Sequence, residues 1–275
     1  AGVLEGEELW FKVAELFFPV YNVKDFSRFA IPFKCISADV VTGEAVASDS
    51  GDIVTAIRSS IAIPTLFTPV EINGRMLIDG GVVRNFPVKD VREMGADIVV
   101  GSHTATGLLP KEKVSSALQV LMQIAFFNEI AGNRNEEPLC DIYVRIPLDN
   151  YSMASFNRAE EILEAGIEEG RKLYPGLKQL KDSLDRIYGE DTRPAKTLPK
   201  VDSIKISSIE ITGLEKTTFE FFDHMMGFEK GKYYTSEQLS KMIRRVFGTR
   251  YYSRIKYELI PRSDGSVTVV FDVVE

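Results

Sequence analysis

Cysteine is scarce: Cys35 and Cys140 are the only two in the chain. A pair this sparse says little about redox compartment, and Cys35 lies in an apolar, strand-like run where a buried free thiol is the default. No apolar run approaches the ~20 residues of a membrane-spanning helix. A basic excess is also missing. Residues 1–200 carry 22 Lys+Arg against 29 Asp+Glu, and residues 201–275 carry 11 against 11, which accounts for the net charge of −7. Neither part has the positive surplus that nucleic-acid binding usually needs, so no nucleic-acid partner is expected. The start, Ala1-Gly2-Val3-Leu4-Glu5, lacks both an initiator Met and a signal peptide. It reads as a piece of a longer protein rather than a processed mature one.

What is present is ordinary globular protein, 44% hydrophobic and 27% charged, with length enough for two domains. Residues 5–20 have apolar side chains at helical spacing, stopped by Pro19. Ile31 to Val41 reads as a buried strand. Gly51 to Ile63 reads as a helix, capped by Asp49 or Ser50 and ended by Pro64. Pro69 to Ile72 and Arg75 to Ile78 flank Asn73-Gly74, a strong hairpin signal. A short helix from Pro87 to Met94, closed by Gly95, leads to a buried strand from Asp97 to Gly101. This alternation predicts an α/β layer with parallel pairing. Residues 112–134 look helical and Cys140 to Ile146 extended. Two helices, 157–173 and 176–188, are expected on either side of Pro175-Gly176.

The texture then changes. Gly189 to Lys200 is polar, contains two prolines and reads as a linker. Beyond it come a strand from Ile204 to Ile211, helices from Thr217 to Met226 and Thr235 to Phe247, and strands from Tyr251 to Pro261 and Ser266 to Val274. Asp264-Gly265 marks the turn between the last two. The domain reading is 1–188, a linker over 189–202, and a small βααββ unit over 203–275.

The stretch Ser59 to Pro87 carries the chemistry. Its hairpin strand runs into Asp79, followed at once by Gly80 and Gly81. Two glycines permit positive φ and close backbone approach. A carboxylate at the C-terminal end of a strand stands where open α/β sheets hold their ligands. Close to a serine hydroxyl it can take the proton or hold it in line. An isolated Asp-Gly-Gly is also a plain turn in which the carboxylate bonds backbone amides.

Ser59-Ser60-Ile61-Ala62-Ile63-Pro64, Phe67-Thr68-Pro69-Val70, Asn73-Gly74 and Asp79-Gly80-Gly81 with Asn85 and Pro87 resemble, in order and spacing, the patatin-like phospholipases. Ile36-Ser37-Ala38-Asp39 with Thr42-Gly43-Glu44 is similar to that family's preceding strand and turn, and Gly95-Ala96-Asp97 precedes the next strand as expected. The resemblance runs from about residue 30 to residue 173. It implies a serine acyl hydrolase using a Ser–Asp dyad without histidine, acting on a lipid ester, with no metal and no cofactor. Asp79 is the one residue here that matches the catalytic pair, and Gly80 and Gly81 form its turn. The nucleophile should lie in G-x-S-x-G after a glycine-rich oxyanion loop, and the chain contains no G-x-S-x-G. Gly101-Ser102-His103-Thr104-Ala105 fails at its last position and follows Asp79; a strand end leading into a loop is the expected role of His103. The nucleophile and oxyanion loop are therefore expected upstream of Ala1, which makes the first domain an incomplete patatin-like α/β layer. A degenerate, inactive relative is the alternative.

The βααββ order resembles a POTRA domain, the periplasmic module preceding outer-membrane barrels. Ile206 to Thr212 with Gly213-Leu214, Gly231-Lys232-Tyr233-Tyr234, and Leu239 to Gly248 ending in Thr249-Arg250-Tyr251-Tyr252 carry the likeness, with Val267 to Val274. It implies a bacterial envelope protein held to the outer membrane by a barrel outside these residues, the POTRA part periplasmic and the hydrolase part periplasmic or surface-exposed. A non-catalytic outer-membrane assembly or secretion module is the other reading. Lys241, Arg244, Arg245, Arg250 and Arg254 cluster near the second helix, as a solvated face or a head-group contact. A sheet lacking its first strands leaves apolar surface bare. The chain is therefore expected to form a homo-oligomer through its hydrolase part, or to repack residues 5–20 and 112–134 over the gap.

Overall fold

The computed structural model describes residues 6–105, 108, 111, 114, 116–125, 127, 135–151, 155–192, 194, 197 and 201–275. Contacts divide the chain into two compact units, one joining Ala1–Asp79 to Thr197–Glu275 and the other Gly80–Lys196. The sequence division at 189–202 follows composition, whereas this division follows which surfaces are buried together.

Helix α1 (Glu7–Phe17) places two glutamates in its first turn, favourable to the helix dipole, and buries Trp10, Phe11, Val13 and Ala14. Strands β1 (Cys35–Asp39) and β2 (Ala45–Ser48) form a hairpin. Gly43 takes φ 71° in the turn between them, and the Asp39 carboxylate accepts from the Val41 amide at 2.9 Å. Helix α2 (Ile53–Ser60) follows. Its cap is Asp52 rather than Asp49 or Ser50, because Asp52 is the carboxylate that reaches the Thr55 amide, at 2.8 Å. Strands β3 (Val70–Ile72) and β4 (Arg75–Asp79) close around Asn73 and Gly74, both at positive φ, as the hairpin reading required. The sheet order is β2-β1-β4-β3.

Every pair in that sheet is antiparallel, which corrects the parallel pairing predicted for this layer. Two of its connections are too short for a parallel crossover, which takes a dozen or more residues. The first strand also begins later than predicted. Pro32 offers no amide to a ladder, and Ile31 is 82% exposed, so pairing starts at Cys35.

In the second unit, α3 (Val88–Glu93) leads to β5 (Val100–His103), α4 (Ala117–Ala125) and β6 (Ile142–Arg145). Here the predicted parallel pairing does occur, between β5 and β6. The strand expected from Asp97 starts three residues later, and Asp97 and Ile98 are exposed. Of the helix read at 112–134, α4 is the part described as helical, and 11 of the 23 residues lie outside the described ones. Phe86, Val88 and Val99 form a small core.

Helix α5 (Ala159–Tyr188) is one continuous element of 30 residues that contains Pro175, where two helices were expected. Proline costs a helix interior about 3 kcal/mol. Around it, however, lie good helix formers and intrahelical ion pairs, Lys172 with Glu169 and Lys181 with Asp185. Gly176 does not turn the chain into positive φ.

The small unit follows as β7 (Ile204–Thr212), α6 (Phe219–Met226), β8 (Tyr233–Tyr234), α7 (Ser236–Phe247), β9 (Arg254–Pro261) and β10 (Val267–Val274). Its sheet order is β8-β7-β10-β9, with β7 parallel and β9 antiparallel to β10. In this unit the two-residue strand β8 escaped the sequence reading, being too short for any periodicity, as the four-residue β2 did in the first sheet. Thr235 and Gln238 form a capping box that starts α7. The fold is thus mixed α/β followed by a small α+β sheet domain.

The ends of the chain share one core. Trp10 stacks edge-on against Tyr257 with centroids 4.8 Å apart, and Phe11 meets Phe247. Around these rings, Arg244 pairs with Glu8 at 3.2 Å and Glu15 at 3.0 Å, and Lys24 pairs with Glu258 at 2.7 Å. Helix α1 therefore does bury its apolar face, on α2 and on the small domain.

Candidate functional site

Asp79 ends β4, half-buried, at the C-terminal end of a strand as the sequence predicted. Two backbone restraints fix it. Its amide donates to the Ala62 carbonyl at 3.0 Å, and its residue faces Ser37 across the β1–β4 ladder. Directly opposed residues share a sheet face, so Ser37 and Asp79 lie side by side.

Three serines tie this region to α2. The Ser59 hydroxyl donates to the Ala56 carbonyl at 2.8 Å, leaving its oxygen to accept from Ser37 Oγ, also at 2.8 Å. Ser60 donates to the Ile36 carbonyl at 2.6 Å. Ser37 and Ser59 are both 0% exposed, and their hydroxyls bond within the fold. Their role is to lock the end of α2 against β1, which fixes Ala62 and through it Asp79. Sequence reasoning placed Ser59 and Ser60 only as motif letters. The signal available was three hydroxyls among otherwise apolar residues, a pattern that needs internal partners.

Gly80 and Gly81 lie in a 3-10 turn over Gly80–Val82, and both are buried. Neither takes positive φ, which corrects the reason first given for glycine here. Burial leaves little room for a side chain at either position. The bond Asp79–Gly80 is also where the two compact units meet in sequence.

His103 is engaged structurally. Its Nδ1 lies 2.7 Å from the Tyr143 hydroxyl, and its ring is 5.5 Å from that of Phe86. Burial, followed by the charge of Arg145, lowers its pKa from the usual histidine range. The basic cluster is also largely spoken for. Lys241 pairs with Glu237, Arg244 with Glu8 and Glu15, and Arg254 with Asp272, while Arg245 donates to the Met226 carbonyl. Cys35 and Cys140 are free thiols, and burial pushes Cys35 up to about 12. Among the described residues no group of three or more His, Cys, Asp or Glu could hold a metal ion, and no helix is long and apolar enough to cross a membrane.

Comparison with known proteins separates the chain into two matches. Residues 11–92 match the model of the patatin-like phospholipases, and residues 204–275 match POTRA, described as a surface antigen variable number repeat. The first match starts within α1, ahead of residue 30 where the motif resemblance begins, and stops short of residue 173. An uncharacterised NTE family protein of Mycobacterium tuberculosis is 32% identical over 100 residues, 36% of this chain and 27% of the relative. Lysophospholipase NTE1 of Kluyveromyces lactis is 27% identical over 197 residues, 62% of this chain and 13% of that protein. Lysophospholipase NTE1 of Saccharomyces cerevisiae is 26% identical over 174 residues, 54% of this chain and 10% of that protein. The chain thus spans about a quarter of the mycobacterial relative and about a tenth of the fungal ones.

Proposed function

From a chain in which a patatin-like domain is followed by a POTRA domain, we propose a bacterial serine lipid acyl hydrolase of phospholipase A or carboxylesterase type. Asp79 is the carboxylate of its Ser–Asp dyad. The observation that carries this reading is the position of Asp79, fixed at the end of β4 by the Ala62 carbonyl and the β1 ladder. The serine belongs to sequence preceding these residues, since no G-x-S-x-G occurs within them. In the reaction the serine oxygen bonds to the ester carbonyl carbon while Asp79 takes its proton. Collapse of the tetrahedral intermediate expels the alcohol, which leaves with that proton. Water then repeats the sequence on the acyl-enzyme and releases the fatty acid. A lysophospholipid is the substrate class to test first, on the likeness to the fungal relatives.

The POTRA match supports an outer-membrane setting, with the small domain in the periplasm and a barrel following it. It also favours a second reading, a non-catalytic assembly or secretion module.

The test uses the full-length protein. Asp79→Asn should lower kcat on a lysophospholipid by about 10⁴-fold, by analogy with other catalytic carboxylates, with melting unchanged. A loss under about tenfold with the fold intact would demote Asp79 to a turn residue. Full-length protein inactive on every lipid ester would favour the second reading.

A further inference from the structure

Helix α5 (Ala159–Tyr188) buries none of its residues, yet its sequence carries an apolar seam. Leu173, Leu177, Leu180, Leu184 and Ile187 recur at alternating intervals of four and three. Leu163, Gly166 and Gly170 continue the same intervals toward the N-terminus. That is the heptad pattern of a helix packing on another helix. Leu163 is 64% exposed and Ile187 70% exposed, and the four leucines between them are half-buried. Pro175 falls on the side opposite the seam, where its missing amide does not disturb a partner.

We propose that this face binds a second copy of the same helix, antiparallel, about a two-fold axis beside Pro175. Two observations select this occupant. The first is charge. Residues 159–170 hold five glutamates and no basic residue, a net of −5, whereas residues 171–188 hold five basic and two acidic residues, a net of +3. An antiparallel pair sets each acidic half against a basic half; a parallel pair sets like against like.

The second is shape. About that axis Leu163 meets Ile187 of the second copy, and Leu173 meets Leu177. Gly166 faces Leu184 and Gly170 faces Leu180, so each glycine opposes a large side chain. A Cβ at Gly166 or Gly170 would meet nothing within 4 Å in the isolated chain. Nothing in their described surroundings therefore explains two helix-interior glycines, each costing about 1 kcal/mol against alanine. A leucine from a partner helix does. The 30-residue helix offers a seam about 45 Å long. This inference is independent of the lipid-hydrolase reading; it specifies which surface of residues 1–188 would join two chains.

The test is sedimentation of the full 275-residue chain over a concentration series, with cysteine crosslinking mapped by mass spectrometry. The expected result is a reversible dimer. Leu177→Glu should raise the dissociation constant at least 100-fold while leaving helix content unchanged. Gly170→Leu should raise helix stability and weaken the dimer together, a combination that a merely structural role would not give. A Leu163→Cys chain mixed with an Ile187→Cys chain should form the mixed crosslink, and Ile187→Cys alone should form none. A chain monomeric throughout, a dimer indifferent to Leu177→Glu, or an Ile187→Cys self-crosslink would overturn the proposal.

Discussion

Replacing Phe11 by alanine tests whether the two ends of the chain share a core. Phe11 is 0% exposed, packed edge-on to Trp10 and Phe247, with the Arg244 guanidinium 5.3 Å from its ring centre. Truncating a fully buried phenylalanine costs about 3–5 kcal/mol, because apolar contact is lost and the cavity collapses only in part. At about 1.4 kcal/mol per decade, the unfolding constant should rise between roughly a hundredfold and several thousandfold. Domain stabilities are about 5–15 kcal/mol, so most of the margin is at stake. Trp10 is the only tryptophan in the chain and is 3% exposed against Tyr257, so its emission reports this packing directly. The assay is urea unfolding followed by Trp10 fluorescence, with Leu16→Ala as the comparison. Leu16 lies on the same helix but is 74% exposed, and its truncation should change stability by no more than about 0.5 kcal/mol. If Phe11→Ala matches Leu16→Ala, helix α1 does not pack on the small domain.

Gly213→Ala should destabilise far more than Gly265→Ala. Both sit at positive φ, but a Cβ at Gly213 would come within 2.0 Å of the Val273 carbonyl oxygen, whereas one at Gly265 meets open space. Thermal melts of the two variants decide it, and equal losses would refute the close approach of β10. Cys35 gives a pH prediction. Burial raises its pKa to about 12 from an ordinary 9, so the unfolded chain ionises first and stability falls as pH rises from about 9 toward 12. Cys35→Ala should flatten part of that fall in urea midpoints taken at pH 8 and pH 10; an unchanged slope would place the thiol in contact with water.

Local chemistry was legible because it is written in short stretches. The Asn73-Gly74 turn needs two residues tolerant of positive φ, and the sequence supplies them. Thr235 opening a helix and Asp264-Gly265 closing a hairpin are equally local. Asp79 at a strand end was legible for the same reason. Several other features lie in no window of the sequence. Ser37 and Ser59 are 22 residues apart, and only the fold makes them one hydrogen bond. Asp52 outcompeted Asp49 and Ser50 as a cap on geometry, not residue type.

The sequence by itself determined the turns, the motif around Asp79 and the βααββ pattern of the small domain. Each rests on steric preferences of a few adjacent residues or on a hydrophobic period. Only the tertiary structure decided strand direction in the first sheet, where β1 and β4 pair antiparallel although a long stretch of chain separates them, and the continuity of α5 through Pro175, where neighbouring residues outweighed a local breaker. It alone joined Trp10 and Phe11 to Tyr257 and Phe247, more than two hundred residues away. An apolar helix face announces that it will be buried, but its own sequence does not name the surface that buries it.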